Sequence, residues 1–155
     1  MKTNYFNQVL VFLKSTDFTK ALLIGISLVV PIALGIFLDD YEIGLAIAFG
    51  AFWCSPSDVA GSFRHKRNGI LFSAALIVLV SFIGGYLTFS PWLVLPVLGL
   101  LMFGISYLAV FGFRASMIAF SGLLALVLSF AHGPGKLEIY EYSFFIGVGG
   151  FWYLL

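Results

Sequence analysis

The chain has 155 residues, of which 61% are hydrophobic and only 10% are charged, whereas about 25% charged residues are usual in a soluble domain. This composition excludes an ordinary soluble protein and predicts a membrane protein. A net charge of +1 gives no case for nucleic acid as a partner. The single cysteine, Cys54, excludes an internal disulfide, and no Cys/His cluster has metal-ligand spacing, so we expect no metal and no cofactor.

Residues 1–18 predict an amphipathic helix that lies on the membrane surface. Its apolar residues recur at helical spacing: Phe6, Val9, Leu10 and Leu13. A frayed tail is the alternative interpretation. Charged residues from Lys14 to Lys20 interrupt the apolar run, so the segment does not resemble a cleaved signal peptide.

Six apolar runs in residues 19–155 predict a polytopic bundle of about six transmembrane helices. The approximate spans are 19–38, 40–54, 69–89, 91–112, 114–131 and 137–155. The first run has 20 residues, which at about 1.5 Å per residue crosses a hydrocarbon core of about 30 Å. Pro31 in its middle predicts a kink.

The second apolar run, from Ile43 to Cys54, is too short to span a bilayer by itself. One interpretation is that the helix begins earlier, near Asp40, or has its polar end inside the protein. The other is a short or broken span, which in transporters marks the binding site.

Small residues recur on several of the predicted spans, where they permit close helix contact. Examples are Gly25, Gly35, Ser81, Gly84, Gly85, Gly99, Gly104, Ala115 and Ala119. These faces fit packing within the bundle and are also compatible with a homo-oligomer.

The stretch from Cys54 to Gly69 is the one long polar interruption of the spans. Ser55 before Pro56, with Asp58 three residues after Ser55, follows a capping-box pattern. The pattern predicts a short interfacial helix capped by Ser55 and Asp58 that runs to Arg67.

Alternate loops differ strongly in Lys and Arg, which predicts the orientation of the chain. Only Lys136 falls on one side, and seven fall on the other: Lys2, Lys14, Lys20, Arg64, Lys66, Arg67 and Arg114. The N-terminus and the Cys54–Gly69 loop are therefore expected to be cytoplasmic. The last apolar run reaches Leu155 with no charged residue behind it, so we expect the chain to be part of a longer protein.

No hydrolase, metalloprotease or nucleotide-binding motif occurs, so we expect no catalytic residue and no enzyme. The candidate residues for substrate or ion binding are Asp58, Arg64 and Arg114. Asp58 is an acid near membrane depth, with helix capping as its alternative role. Arg114 opposes the helix dipole at the start of a span. It could coordinate an anion, bind a lipid phosphate, pair with Asp58, or only mark the topology.

Arg64, Lys66 and Arg67 form a basic group that is typical of contact with lipid headgroups and also of a topology signal. A vestibule that attracts anions is the alternative interpretation of the same residues. In each case the lipid bilayer is a partner of the chain.

Three segments of the chain resemble the fusaric-acid-resistance-like (FUSC) family, in particular its YccS-type bacterial inner-membrane branch. They are SPSDVAGSFRHKRNGILF, SPWLVLPVLG and GFRASMIAFSGLLALVLSF. The resemblance covers about residues 20–155 and implies the N-terminal membrane domain of a protein with two six-helix halves separated by a cytoplasmic domain. It also implies a multi-pass protein of the bacterial inner membrane, in a family described as exporters of aromatic or other organic acids.

Two functions remain open from the sequence. The first is the membrane half of an efflux transporter for small organic acids, which the resemblance, the short second span and the cytoplasmic cations favour. The second is a non-transporting anchor or assembly domain for a downstream cytoplasmic module, in which the small-residue faces serve packing or dimerisation.

Overall fold

The structure, a computed structural model, describes residues 12–58, 63–87, 91–131 and 137–155. This part of the chain contains six α-helices and no strand, which confirms the predicted all-α class. The helices are α1 (Thr16–Phe37), α2 (Tyr41–Cys54), α3 (Phe63–Leu87), α4 (Pro91–Tyr107), α5 (Phe113–Ala131) and α6 (Ile139–Leu154). Residues 1–11 of the predicted amphipathic segment 1–18 lie outside the described residues.

Within the part of the chain that the structure describes, four stretches of helix are long and apolar enough to cross a membrane. They are Thr16–Phe37, Arg64–Leu87, Val94–Phe111 and Phe113–Phe130. Together with the composition they identify a helical membrane protein.

Hydrogen bonds at both ends of α1 explain where it begins and ends. The Ser15 hydroxyl accepts a hydrogen bond from the Phe18 backbone N–H at 3.2 Å, which satisfies one of the free donors of the first turn. At the other end Asp39 has a positive φ of 58°, a left-handed conformation that Asp tolerates better than most residues. The Asp40 N–H then donates to the Gly35 carbonyl at 2.9 Å, and this bond closes the helix.

The second helix is short but is extended by a turn of 3₁₀ helix at Ser55–Ser57. At about 1.5 Å per residue for the α-helix and about 2 Å for the 3₁₀ turn, residues 41–57 reach about 27 Å. The start at Tyr41 agrees with the interpretation that this helix begins near Asp40. Its polar end also lies inside the protein, since Ser57 is 0% exposed.

The predicted interfacial helix is corrected by the structure. The Ser55 hydroxyl donates back to the Phe52 carbonyl at 2.8 Å, so it ends α2 instead of capping a new helix. Asp58, with ψ of 64°, terminates the 3₁₀ turn; its predicted capping of the following helix involves residues 59–62, which lie outside the described residues. Arg64 and Arg67 belong to the first turns of α3, which runs without a break to Leu87. The Ser55 hydroxyl thus bonds to a carbonyl of the preceding helical turn and not to the backbone amides of the residues that follow. The sequence pattern does not distinguish between these two hydrogen bonds.

Contacts between helices show that α1, α3 and α5 run in one direction and α2 and α6 in the other. The contacts that set these directions are Gly35 with Gly44, Lys20 with Asp58, Ser57 with Gly69, Glu42 with Leu137, Cys54 with Gly150, Gly69 with Arg114, and Gly84 with Ser129. As a result, one end of the bundle holds the basic residues of the α2–α3 connection and of the start of α5. Five of the seven acidic residues lie at the other end: Asp39, Asp40, Glu42, Glu138 and Glu141.

The centre of the bundle is α2, which packs against α1, α3, α5 and α6. Its closest partner is α6, because glycines let the two backbones touch. A Cβ placed on Gly50 would collide with the Ile146 carbonyl, and one placed on Gly149 would collide with the Ile47 carbonyl. Such close approach of small-residue faces is the usual way in which helices associate without a hydrophobic driving force.

The outermost helices, α1 and α4, leave large apolar side chains exposed. Trp92 is 94% exposed and Phe37 is 85% exposed. In a membrane protein these faces meet lipid, because lipid tails are as apolar as the side chains themselves. The described helices therefore fit a bilayer as their surroundings.

Candidate functional site

Basic side chains from three helices meet around the end of α2. We call this group the basic junction and define it as Lys20, Asp58, His65, Lys66 and Arg114. The Lys66 ammonium lies 3.0 Å from a carboxylate oxygen of Asp58, and the Lys20 ammonium donates to the Asp58 backbone carbonyl at 3.3 Å. Residue 58 is thus held from α1 and from α3 at once.

Arg114 joins the basic junction from the start of α5. Its guanidinium donates to the His65 backbone carbonyl at 3.1 Å. If Gly69 carried a Cβ atom, that atom would lie 3.7 Å from the Arg114 Cδ and 3.5 Å from the Ser57 carbonyl oxygen. Both distances are ordinary van der Waals contacts, so Gly69 lies against Arg114 and the end of α2 on the same surface of α3.

Two buried hydroxyls lie next to the basic junction. Ser57 and Ser73 are each 0% exposed, and neither hydroxyl has a hydrogen-bond partner of good geometry. The Cys54 thiol lies beside Ser73, but a thiol is a weak partner. Because Gly69 and Ser73 are one turn apart on α3, both hydroxyls face the region where α2, α3 and α5 meet.

Further hydroxyls continue the same face of α3 towards the acidic end. The Ser129 hydroxyl donates to the Ser81 carbonyl at 3.1 Å, while the Ser81 hydroxyl is buried without a partner. We call Ser57, Ser73, Ser81 and Ser129 the hydroxyl seam. Ile77, which is also fully buried, separates its two halves.

A buried hydroxyl without a partner costs free energy, and native proteins contain few of them. The described part of the hydroxyl seam contains three, at Ser57, Ser73 and Ser81. The Trp53 indole N–H, also buried, lacks a partner as well. Such groups are suited to bind a polar group that is not part of the chain.

The structure brings three of the sequence candidates together, Asp58, Lys66 and Arg114. Asp58 forms an ion pair with Lys66. The sequence suggested Arg114, and not Lys66, as a partner of Asp58. Arg64 and Arg67 are exposed on the first turns of α3, and neither side chain has an ion pair or hydrogen bond within the described residues. These two arginines lie outside the packed part of the site.

Sequence reasoning missed Ser57, Ser73 and Trp53 as members of the site. The available signal was the spacing of Gly69, Ser73, Ser81 and Gly85 on α3, which repeats at multiples of four residues. This spacing predicts a small and polar helix face. It does not show whether a hydroxyl on that face has a partner.

A concave surface lies between α3 and α6, away from the basic junction. It is an open groove of about 580 Å³ with an almost wholly apolar lining, which includes Val78, Phe82, Tyr140, Phe144 and Phe151. None of the candidate residues from the sequence lies in it. The groove offers shape and apolar contact but no charge for an organic acid.

Comparison with protein-family models identifies a match. Residues 69–155 match the family model described as FUSC-like inner membrane protein yccS, and this region includes Ser73, Ser81, Arg114 and Ser129. No curated protein and no protein of known structure matches the chain.

Proposed function

Because the chain belongs to the FUSC-like family of inner-membrane proteins, we propose that it is the membrane half of an efflux transporter for small organic acids, aromatic ones among them. The family supports a role related to membrane transport and not an enzyme. The substrate class is the part of the proposal that goes beyond the family.

One observation carries the proposal. At one end of the bundle Lys66 and Arg114 lie near two buried hydroxyls: Ser57, which has no partner, and Ser73, whose neighbour is the weakly bonding Cys54 thiol. Cations attract a carboxylate and hydroxyls donate hydrogen bonds to it, and the hydroxyl seam continues from there into the bundle. This arrangement supports entry of an organic acid at the basic junction.

The direction of transport follows from the proposed topology. We place the N-terminus and the basic junction in the cytoplasm, because seven of the eight Lys and Arg residues fall on that side of the six proposed spans and cytoplasmic loops are enriched in these residues. An organic acid made in the cell would then meet the cations first, as an exporter requires.

Export of benzoate from cells tests the proposal. We expect Arg114→Gln to lower the export rate at least about fivefold, because the guanidinium lies where the acid enters, and each factor of ten corresponds to about 1.4 kcal/mol. The cells should lack their own exporters of aromatic acids, and the amount of each variant in the membrane should be measured.

The matched control is Arg67→Gln, which removes the same charge from an exposed side chain without a described partner. Export that is equally slow in both variants would show a general effect of surface charge. Export that is unchanged by Arg114→Gln, at normal protein levels, would contradict a site at the basic junction.

A second candidate function is a non-transporting anchor or assembly domain. Gly99 and Gly104 favour it, because both lie on the exposed helix α4 with open space beside them, so another membrane helix could approach closely there. This function predicts that an unrelated membrane anchor replaces the domain without loss of activity, whereas a transporter would lose export.

A further inference from the structure

We propose that the Asp58 carboxylate is a built-in substitute for the organic acid, which occupies the anion site of the basic junction and is displaced when the acid binds. The choice of an organic acid as the ligand rests on the proposed function. The occupied anion site itself rests on the contacts of Asp58.

The first argument is the balance of charge. This end of the described structure carries six positive charges, from Lys14, Lys20, Arg64, Lys66, Arg67 and Arg114, and two carboxylates, from Asp17 and Asp58. The cations therefore exceed the carboxylates by four charges. A second anion is electrostatically favoured at this place even while Asp58 remains nearby.

The second argument is the position of Asp58. Lys66 binds its carboxylate and Lys20 binds its backbone carbonyl, and its neighbour Ser57 is fully buried. Asp58 itself lies at the rim, with a side chain that is 17% exposed. It therefore covers the point where the basic junction meets the hydroxyl seam.

The third argument is that Asp58 satisfies only part of the site. A carboxylate can accept about four hydrogen bonds, and the described contacts of this one are with Lys66. The Ser57 hydroxyl remains without a partner, and the Ser73 hydroxyl has only the weakly bonding Cys54 thiol beside it. The carboxylate of a free organic acid, which is not attached to the backbone at residue 58, could accept hydrogen bonds from Lys66 and from these hydroxyls together. It would therefore make contacts that the Asp58 side chain does not make.

The fourth argument is that the ion pair can be opened. The side chains of Lys66 and Asp58 are 32% and 17% exposed, and ion pairs that water reaches contribute little to stability. A ligand that forms more hydrogen bonds can therefore compete with Asp58 at moderate concentration. The affinity that is observed is then lowered by the fraction of time for which Asp58 occupies the site.

Benzoate binding to the purified full chain in detergent tests the inference. Titration calorimetry should show that Asp58→Asn binds benzoate about two- to fivefold more tightly than the parent, because a weak internal competitor has been removed. Lys66→Gln should weaken binding, and Ser73→Ala should weaken it in the Asp58→Asn background. Benzamide, which has the same ring without the charge, should show no difference between the parent and Asp58→Asn.

The matched control is Asp17→Asn, which removes one carboxylate from an exposed position near the same end of the bundle. An equal gain in both variants would overturn the inference, because it would reflect net charge alone. Unchanged or weaker binding in Asp58→Asn, or no benzoate binding by any variant, would overturn it as well.

Two further measurements keep the outcome clear. If Asp58→Asn does not fold, Asp58→Ser, which also removes the charge, takes its place in the same titration. Binding that tightens as expected without any export in cells would support the internal anion and contradict the proposed transport. If export depends on Arg114 but Asp58→Asn does not change benzoate binding, the result would support the proposed transport and contradict the internal anion.

Discussion

At the scale of single residues, the glycines between α2 and α6 are the positions where the fold tolerates least change. The atoms that a new Cβ at Gly149 would meet are the Ile47 carbonyl and the Ala51 amide. Both belong to the backbone, so no flexible side chain can move aside. The two helices would have to separate along much of their shared length.

We therefore expect Gly149→Ala to lower the stability of the protein in detergent by at least about 1–3 kcal/mol, the range for overpacked cores. Gly99→Ala is the control, because a Cβ at Gly99 meets nothing within 4 Å and alanine favours helix. Thermal unfolding of the two variants against the parent measures the difference. Equal melting temperatures for Gly149→Ala and the parent would contradict the close contact.

Single residues also show where sequence reasoning ends. Asp58, Arg64 and Arg114 are the binding candidates that the sequence suggests, and Lys66 belongs to the predicted lipid-headgroup group, because charges are rare in this chain and therefore conspicuous. Ser57 and Ser73 could not be predicted, because a serine on a helix usually bonds to its own backbone, as Ser27 and Ser121 do here. Only the packing shows which hydroxyl has been left without a partner.

At the scale of elements, the start of α6 is held by a capping box. The Glu138 side chain accepts a hydrogen bond from the backbone N–H of residue 141, and the Glu141 carboxylate accepts from the Glu138 N–H at 3.2 Å. These reciprocal bonds satisfy donors that the first turn would leave free.

Glu138→Ala should therefore cost about 1 kcal/mol of stability, the usual price of losing an N-terminal cap. Glu138→Asp is the matched comparison, because Asp also caps well and keeps the charge. In detergent, the parent and Glu138→Asp should have similar melting temperatures, and Glu138→Ala should have a lower one. A loss that is equal for both variants would show that the length of the Glu138 side chain matters more than its capping bond.

The helix boundaries show which elements could be predicted and which could not. The predicted first span began at residue 19 and α1 begins at Thr16, because the Ser15 cap lies before the apolar run. The predicted third span began at residue 69 and α3 begins at Phe63. Hydropathy places the start where charges end, whereas the backbone stays helical through the exposed arginines at the bilayer surface.

At the scale of the whole molecule, the alternation of helix directions agrees with the distribution of charge. The basic junction lies at one end of the bundle and the acids near Asp40 at the other, as a chain that crosses a membrane repeatedly requires. The sequence could predict this arrangement, because it depends on the order of apolar and charged stretches. It could not predict that α2 is central, since α2 is uniformly apolar and its neighbours are set by shape.

The proposed topology can be tested with a reagent that labels cysteine and cannot cross the membrane. We expect labelling of Asp40→Cys in intact cells, because residue 40 is exposed at the acidic end. Asn68→Cys, also exposed but at the basic end, should be labelled only after the cells are opened. The parent serves as the blank, since its Cys54 is 1% exposed; labelling of residue 68 in intact cells would reverse the orientation.

The parallel contact of α2 with α6 also has a consequence during synthesis. Gly50 and Ile146 are almost 100 residues apart in the chain, and ribosomes add about 5–20 residues per second. For roughly 5–20 seconds α2 must therefore remain in the membrane with its glycine face uncovered, until α6 has been made and inserted. Whatever shields that face in the interval, whether lipid or an insertion factor, must leave it before the central interface of the bundle can close.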